Sequence, residues 1–279
     1  MERDCAKVGG VKNAVNGPPG TGRTEPRGAV DKALEVLSAL SRPGGPHRLA
    51  DLAEACDLPK PTTHRMLQTF SEAGFAVGLG GGRYTVGPRL LGMSAAVLAA
   101  RPAIRPILAD LRRRTGHTVH YAVRHADRAV YVDKLEPDQA YRLNTRPGGE
   151  VPLYCTGVGR AILSRLSPPE VAAVLDAARL RARTPKTVTD PAEIRASLTT
   201  VDTLGYVVDD EQHEQHVRCV AAPVLAADGQ VAGAVSVAGL TFTLPPDSFP
   251  TLGPLVAEAA NRISAALSSA PVRSVPDDD

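Results

Sequence analysis

Lys60, Thr62, Arg65, Gln68 and Thr69 follow a Leu58-Pro59 turn at spacings that place them on the outer side of one helix, and Arg83 follows a glycine-rich stretch. Arg, Gln and Thr carry the donors and acceptors that read base edges, whereas a Lys at a helix start is better placed for a phosphate. Arg65 reads either as a base contact or as the partner of Glu72 or of a phosphate. Arg83 reads as a contact to DNA backbone or narrow minor groove, or as a solvated side chain. His64 reads as a partly packed helix residue. The charge distribution points the same way. The formal net charge is only +2, yet between Leu58 and Ala109 six cations face the single acid Glu72. A local excess of this kind in a balanced chain is either a phosphate-binding footprint or a solvated face.

Three other constellations have chemical content. Thr156-Gly157-Val158-Gly159 opens a helix with small residues, which brings backbone N–H groups toward a guest and favours a carboxylate. It is not a dinucleotide fingerprint, because Ile162 stands where the third glycine belongs. Asp209, Asp210, His213, His216 and Cys219 have metal-ligand chemistry if the HxxH lies on a helix; the segment also reads as a loop with exposed histidines, and no metal is assigned. Gly17-Pro18-Pro19-Gly20-Thr21-Gly22-Arg23-Thr24 departs from a phosphate-binding P-loop only at Arg23. No good strand precedes it, and Pro26 and Gly28 prevent a following helix, so no nucleotide cofactor is expected. There is no GxSxG elbow, and neither Cys155 nor Cys219 has an assignable base, so an enzyme is not expected.

The surrounding sequence must position these groups. Residues 1–27 and 271–279 read as loose tails. Val30, Ala33, Leu34, Leu37 and Leu40 recur at helical spacing up to Pro43-Gly44-Gly45-Pro46. A short helix follows around Leu49, Leu52 and Ala53, then a third helix with Thr63, Met66, Leu67 and Phe70 inward, then a hairpin over Phe75–Val77 and Arg83–Val86. Residues 28–88 thus outline a winged helix-turn-helix DNA-binding domain. Residues 89–101 form an apolar linker helix that packs on another chain or on its own second domain. Residues 102–270 read as a mixed α/β domain with an antiparallel sheet: helices at Ile104–Arg114, Ala161–Leu166, Pro169–Ala178, Pro191–Leu204 and Ser248–Leu267, and strands at Thr118–Val123, Ala129–Lys134, Val217–Leu225 and Val231–Val237. The fold class is α+β.

Of 279 residues, 43% are hydrophobic and 22% charged, which excludes collagen-like, coiled-coil and mucin-like chains. No apolar run reaches the ~18–20 residues of a membrane helix, and MERDCAKVGG has no apolar signal region. Cys5, Cys56, Cys155 and Cys219 are widely spaced, so a reducing, cytoplasmic setting is expected.

Longer stretches resemble one family in chain order. Leu49–Glu54, Leu58–Leu67 and Gly82–Leu91 look like the DNA-binding half of IclR-family transcriptional regulators. Val151–Leu163, Gly205-Tyr206, Asp209–Glu211, Arg218–Val224 and Ala234–Val237 are similar to its C-terminal half. Pro61 replaces the family's usual Ser, and Thr63 its small aliphatic residue. The resemblance implies a winged helix on an inverted-repeat operator, a dimerising linker helix, and a GAF-like domain that binds a small effector. Homodimers or dimers of dimers are implied, acting as repressor or activator. The family's effector pocket falls on Ala140, Leu143, Val151, Gly157, Val158, Asp209, Cys219, Ser236 and Ala238. Ala238 replaces a hydroxyl residue of some members, which favours an organic acid with an apolar body. A GAF-like enzyme or metal-binding protein with an accessory helix-turn-helix is the alternative.

Overall fold

The computed structural model describes residues 28–42, 44–99, 103–138 and 141–269. The P-loop-like stretch, Cys5 and Ala140 lie outside them. Two compact units divide between Ala100 and Arg101.

The first unit contains α1 (Ala29–Leu40), β1 (His47–Arg48), α2 (Leu49–Ala55), α3 (Lys60–Glu72), β2 (Ala76–Gly78), β3 (Arg83–Val86) and α4 (Pro88–Ala99). Its sheet runs β1-β3-β2, antiparallel throughout. Pro59 caps α3 and Pro61 lies in its first turn, where no intrahelical N–H is lost. Thr63 is fully buried beside Leu67, and its hydroxyl is satisfied by donating to Pro59 O at 3.2 Å. The core gathers Val36, Leu40, Leu52, Leu58 and Leu67.

The α1 helix forms where its spacing places it, with its stripe only partly inward. Val36, Ala39 and Leu40 face the core, while Val30 and Leu34 are 71% and 57% exposed. Of the stripe that repeats at helical spacing, Leu40 is in the core and Ala33 and Leu37 are half-buried, while its first members, Val30 and Leu34, lie outside and Val36 and Ala39 join the core instead.

The second unit contains α5 (Ile104–Thr115), β4 (Thr118–His125), β5 (Arg128–Leu135), β6 (Glu150–Pro152), α6 (Gly157–Leu163), α7 (Pro168–Ala177), α8 (Pro191–Leu198), α9 (Thr200–Leu204), β7 (Val207–Asp210), β8 (Val217–Leu225), β9 (Val231–Leu240) and α10 (Phe249–Ser269). One antiparallel six-stranded sheet has the order β6-β5-β4-β9-β8-β7. Alternation along each strand gives it two covered faces. Val119, Tyr121, Val220, Val235 and Val237 pack with α5 and α10. Ala122, Cys219, Ala221, Ala234 and Ala238 pack with α6. Among the described residues no helix is long and apolar enough to cross a membrane.

The expected single helix over 191–204 is two. Near the break, Ser197, Thr199 and Thr200 each donate a hydroxyl to a carbonyl three residues back, the local competition that ends helices. β6 and β7 escaped the sequence pattern because one has three residues and the other ends in two aspartates. α6 starts at Gly157, where Thr156-Gly157-Val158-Gly159 was read to open a helix and ahead of the Ala161 bound, because Thr156 caps it by accepting from Gly159 N–H at 3.1 Å.

Candidate functional site

In the first unit, α3 turns Lys60, Arg65, Gln68 and Thr69 to solvent, while Thr62 is half-buried. Arg83 is exposed on β3 beside the glycine tip of the hairpin. Arg65 makes no ion pair with Glu72: Lys60, Arg65 and Arg83 have no side-chain partner among the described residues. Arg89, by contrast, is tied down, donating to Ala73 O at 3.4 Å with its guanidinium 5.3 Å from the Phe75 ring centre. The surface around α3 thus presents charge and amide groups that nothing inside the unit neutralises, which suits a polyanion.

In the second unit, strand register assembles residues far apart in sequence. Asp209, Cys219, Ala238 and Thr118 form one row across β7, β8, β9 and β4. Val207, Ala221, Ser236, His120 and Lys134 form the next, ending on β5. Asp209, Ser236, His120 and Thr118 are all buried. Leu143, Val151 and Val158 join the same apolar cluster.

Gly157 and Gly159 serve packing first. A Cβ on Gly157 would lie 2.7 Å from Cys219 Sγ, and one on Gly159 would lie 2.4 Å from Leu153 Cα. The helix start therefore sits directly on β8. Since the Gly159 amide is already taken by Thr156, any anion at this turn has the Gly157 and Val158 amides to work with.

His120 is the residue that sequence reading missed. Its Nε2 is 2.7 Å from Thr145 Oγ1 and its Nδ1 is 3.5 Å from Ser236 Oγ. Burial, with the nearby Lys134 charge, pushes its pKa down to about 3, so the ring is neutral. Lys134 donates to the carbonyls of Leu143 and Thr145 at 2.8 and 2.7 Å and pairs with Glu136, pinning the Leu143 segment beside the row. The available signal was alternation: in Thr118-Val119-His120-Tyr121-Ala122 the histidine falls on the same side as Thr118 and Ala122.

Burial raises the Asp209 carboxyl to about 7, against the lowering pull of N–H groups at Gln212 and His213 and of Arg160. Its Oδ1 accepts from Gln212 N–H at 2.8 Å. Arg160 is itself buried, donates Nε–H to Tyr154 O at 3.0 Å, and has no partner for Nη2 among the described residues. Burial first, then Asp209, raises both the Cys219 and Cys155 thiols, which stay protonated at neutral pH.

The HxxH pair is not on a helix. His213 lies 3.8 Å from Cys155 Sγ, with burial holding its pKa down at about 4. His216 is 80% exposed beside Glu211. Among the described residues no three His, Cys, Asp or Glu side chains form a metal-ligand group. A groove of about 640 Å³ lined by Leu204, Pro254 and Arg262 lies on α10, across the sheet from the buried rows.

Residues 29–79 match the IclR helix-turn-helix domain, and residues 95–265 match the C-terminal domain of bacterial IclR transcriptional regulators. The acetate operon repressor of Salmonella typhimurium is 30% identical over 92% of this chain and 95% of its own length. An IclR transcriptional regulator from Alicyclobacillus acidocaldarius superposes with a TM-score of 0.77 at 26% identity, covering 86% of this chain and 98% of that one. An IclR homologue from Microbacterium hydrocarbonoxydans, solved with 4-hydroxybenzoate, shares the fold with a TM-score of 0.75 at 22% identity, covering 86% and 99%.

Proposed function

The chain belongs to the IclR family of bacterial transcriptional regulators, not of enzymes, and from that premise we propose a repressor whose operator occupancy is set by a small organic acid bound in the second unit. The carrying observation is the buried pair of rows in which Ser236, His120 and Asp209 present polar atoms among apolar neighbours. These groups are bonded inside the unit, and a carboxylate with an apolar body would extend that network while matching its apolar surroundings. Ser236 Oγ and the amides of Gly157 and Val158 would hold the carboxylate, with His120 Nδ1 fixing the serine rotor. Leu143, Val151, Val158 and Ala238 would wall the apolar body, with Cys219 beside it; Ala140 completes the assigned set. The Microbacterium homologue's aromatic acid is a ligand of this chemical kind.

Asp209, with its raised pKa, would donate to the acid when protonated. Bound anion then raises its proton affinity further, so an acid effector binds more tightly at pH 6 than at pH 8, with proton uptake. A ligand that prefers one conformation of this unit shifts the operator equilibrium by its differential affinity.

On the DNA side, Arg65, Gln68, Thr62 and Thr69 would read the major groove, Lys60 a phosphate, and Arg83 the adjoining backbone. The exposed Val30 and Leu34 of α1 and Leu91, Met93 and Val97 of α4 are an apolar surface suited to a second copy. This supports a homodimer, or a dimer of dimers, on an inverted repeat. The domain division carried forward is 28–88 for DNA, 89–101 for the linker and 102–270 for the effector.

Thermal-shift screening of the full chain against organic acids and their neutral analogues tests the effector reading. Stabilisation by an acid, lost in Ser236→Ala, supports it. Stabilisation by neutral compounds alone would overturn the carboxylate site.

A further inference from the structure

β1 was not expected from the sequence, and it places an arginine where none had been assigned a task. Arg48 lies directly opposite Arg83 in the β1–β3 register. Side chains so paired in antiparallel strands stand ~5 Å apart at Cβ on the same face, where like charges repel. Both residues are exposed, and neither guanidinium has an ion pair or hydrogen bond among the described residues. The neighbouring pair on that face, Val77 and Thr85, is uncharged. No acid occurs in β1, β2 or β3 to relieve the repulsion. The corner is also fixed: Leu49 N–H donates to Gly82 O at 2.9 Å, joining the start of α2 to the hairpin, and Arg48 is the N-cap residue of α2.

We propose that Arg48 and Arg83 form a two-guanidinium clamp on the phosphate backbone of duplex DNA, at the base of the wing and outside α3. Each planar fork matches phosphate oxygens bidentately, and a bridging phosphate turns the repulsion into shared attraction. The tip, Leu79-Gly80-Gly81-Gly82, carries one side chain in four residues, so little bulk keeps a backbone away. The inference rests on the regulator reading and adds to it a contact insensitive to sequence.

The test is fluorescence anisotropy of the full chain with a labelled mixed-sequence duplex over a salt series. R48A should weaken binding several-fold and reduce the salt slope by about one. R83A should do the same, and R48K should keep most of the slope. With the repulsion gone, the melting temperature of R48A should be no lower than wild type, so binding and stability move independently. Wild-type affinity and slope in R48A would overturn the clamp alone. So would a binding loss shared by R48K and accompanied by a lowered melting temperature, which marks a structural role. Failure of the wild-type chain to bind any duplex would overturn the regulator reading along with the clamp.

Discussion

The two units differ in where their distinctive polar side chains lie. In the first, Arg48, Lys60, Arg65 and Arg83 point outward without partners among the described residues. In the second, many surface cations are matched, such as Arg105 with Asp133, Arg114 with Glu258, Lys186 with Asp210 and Glu211, and Arg262 with Asp110, although Arg146, Arg179, Arg181, Arg183 and Arg195 stay exposed without an ion pair among the described residues. Its unusual polar groups, His120, Asp209, Arg160 and Ser236, are inside. Open cations await a polymer of phosphates arriving at the surface. Buried polar groups set among apolar side chains suit a molecule small enough to enter and carrying both kinds of surface. Each unit's partner is thus written in where its distinctive polar groups lie, outside in the first and inside in the second.

The largest test of this contrast is steric. In Gly159→Ala the new Cβ would sit 2.4 Å from both Leu153 Cα and its carbonyl oxygen, backbone atoms that cannot rotate away. Overpacking usually costs ~1–3 kcal/mol and more where backbone must move, so the effector unit should lose at least about 3 kcal/mol of stability. Calorimetry on the full chain reads this. A wild-type melt would show that the helix start is not held against the sheet.

Arg65→Ala comes next, and it should leave the melt untouched. On a duplex carrying a footprinted operator it should cost about 1–3 kcal/mol, with a smaller loss on mixed-sequence DNA. Lys60→Ala should weaken both duplexes alike and flatten the salt dependence. Equal losses for Arg65→Ala on the two duplexes would reduce it to a phosphate contact and take base reading away from that position.

The units also differed in how much of them sequence revealed. α3 was legible residue by residue because Thr63, Leu67 and Phe70 repeat at the helical period and leave the cations on the other side. In α1 the helix was legible but its inward side only in part, because apolar residues on two sides of a helix give no sign of which its own chain covers. In the second unit, the resemblance supplied Asp209, Cys219, Ser236 and Ala238, which the register then aligned in two adjacent rows. His120 and Lys134 could not be found that way. His120 meets Ser236 only because β4 pairs with β9 across more than a hundred residues of chain, and Lys134 joins the same row through the adjacent β4–β5 hairpin, so alternation within one strand does not show what the two face. β1 was missed for a similar reason: two residues make a strand only because β3 lies beside them, and Arg48 was missed with it.

A third prediction concerns pH. Asp209 has a folded pKa of about 7 against an ordinary 3.8, chiefly through burial. A carboxyl raised on folding contributes stability below its unfolded pKa and loses it as pH rises through the folded value. Stability from this one group therefore falls between about pH 4 and 7, and the loss is complete above that window. His120 works the other way: its folded pKa of about 3 against 6.5 gives stability above the unfolded value, lost as pH falls through that lower window. Asp209→Asn keeps an acceptor for the Gln212 amide and removes the ionisation. Its melting temperature relative to wild type should rise steadily from pH 4 to pH 8. A constant difference across that range would mean that Asp209 is already ionised, and that an acid effector would meet a like charge.

The smallest effect should come from a cation as exposed as many in the DNA-binding unit. Arg262, 44% exposed on α10, donates to Asp110 at 2.8 Å and lies 3.8 Å from Glu258. Both acids have other partners, since Arg113 and Arg114 reach Asp110 and Arg114 also holds Glu258. Removing Arg262 therefore leaves no carboxylate unpaired, and exposed pairs in a network this redundant contribute little. Arg262→Ala should melt within the scatter of wild-type replicates and bind duplex DNA with an unchanged salt slope. Paired with R48A, it compares the same substitution at two exposed arginines that differ in whether the fold supplies a carboxylate. If Arg262→Ala flattened the salt slope as much as R48A, surface pairing would not distinguish the two units, and DNA contacts would have to extend onto α10.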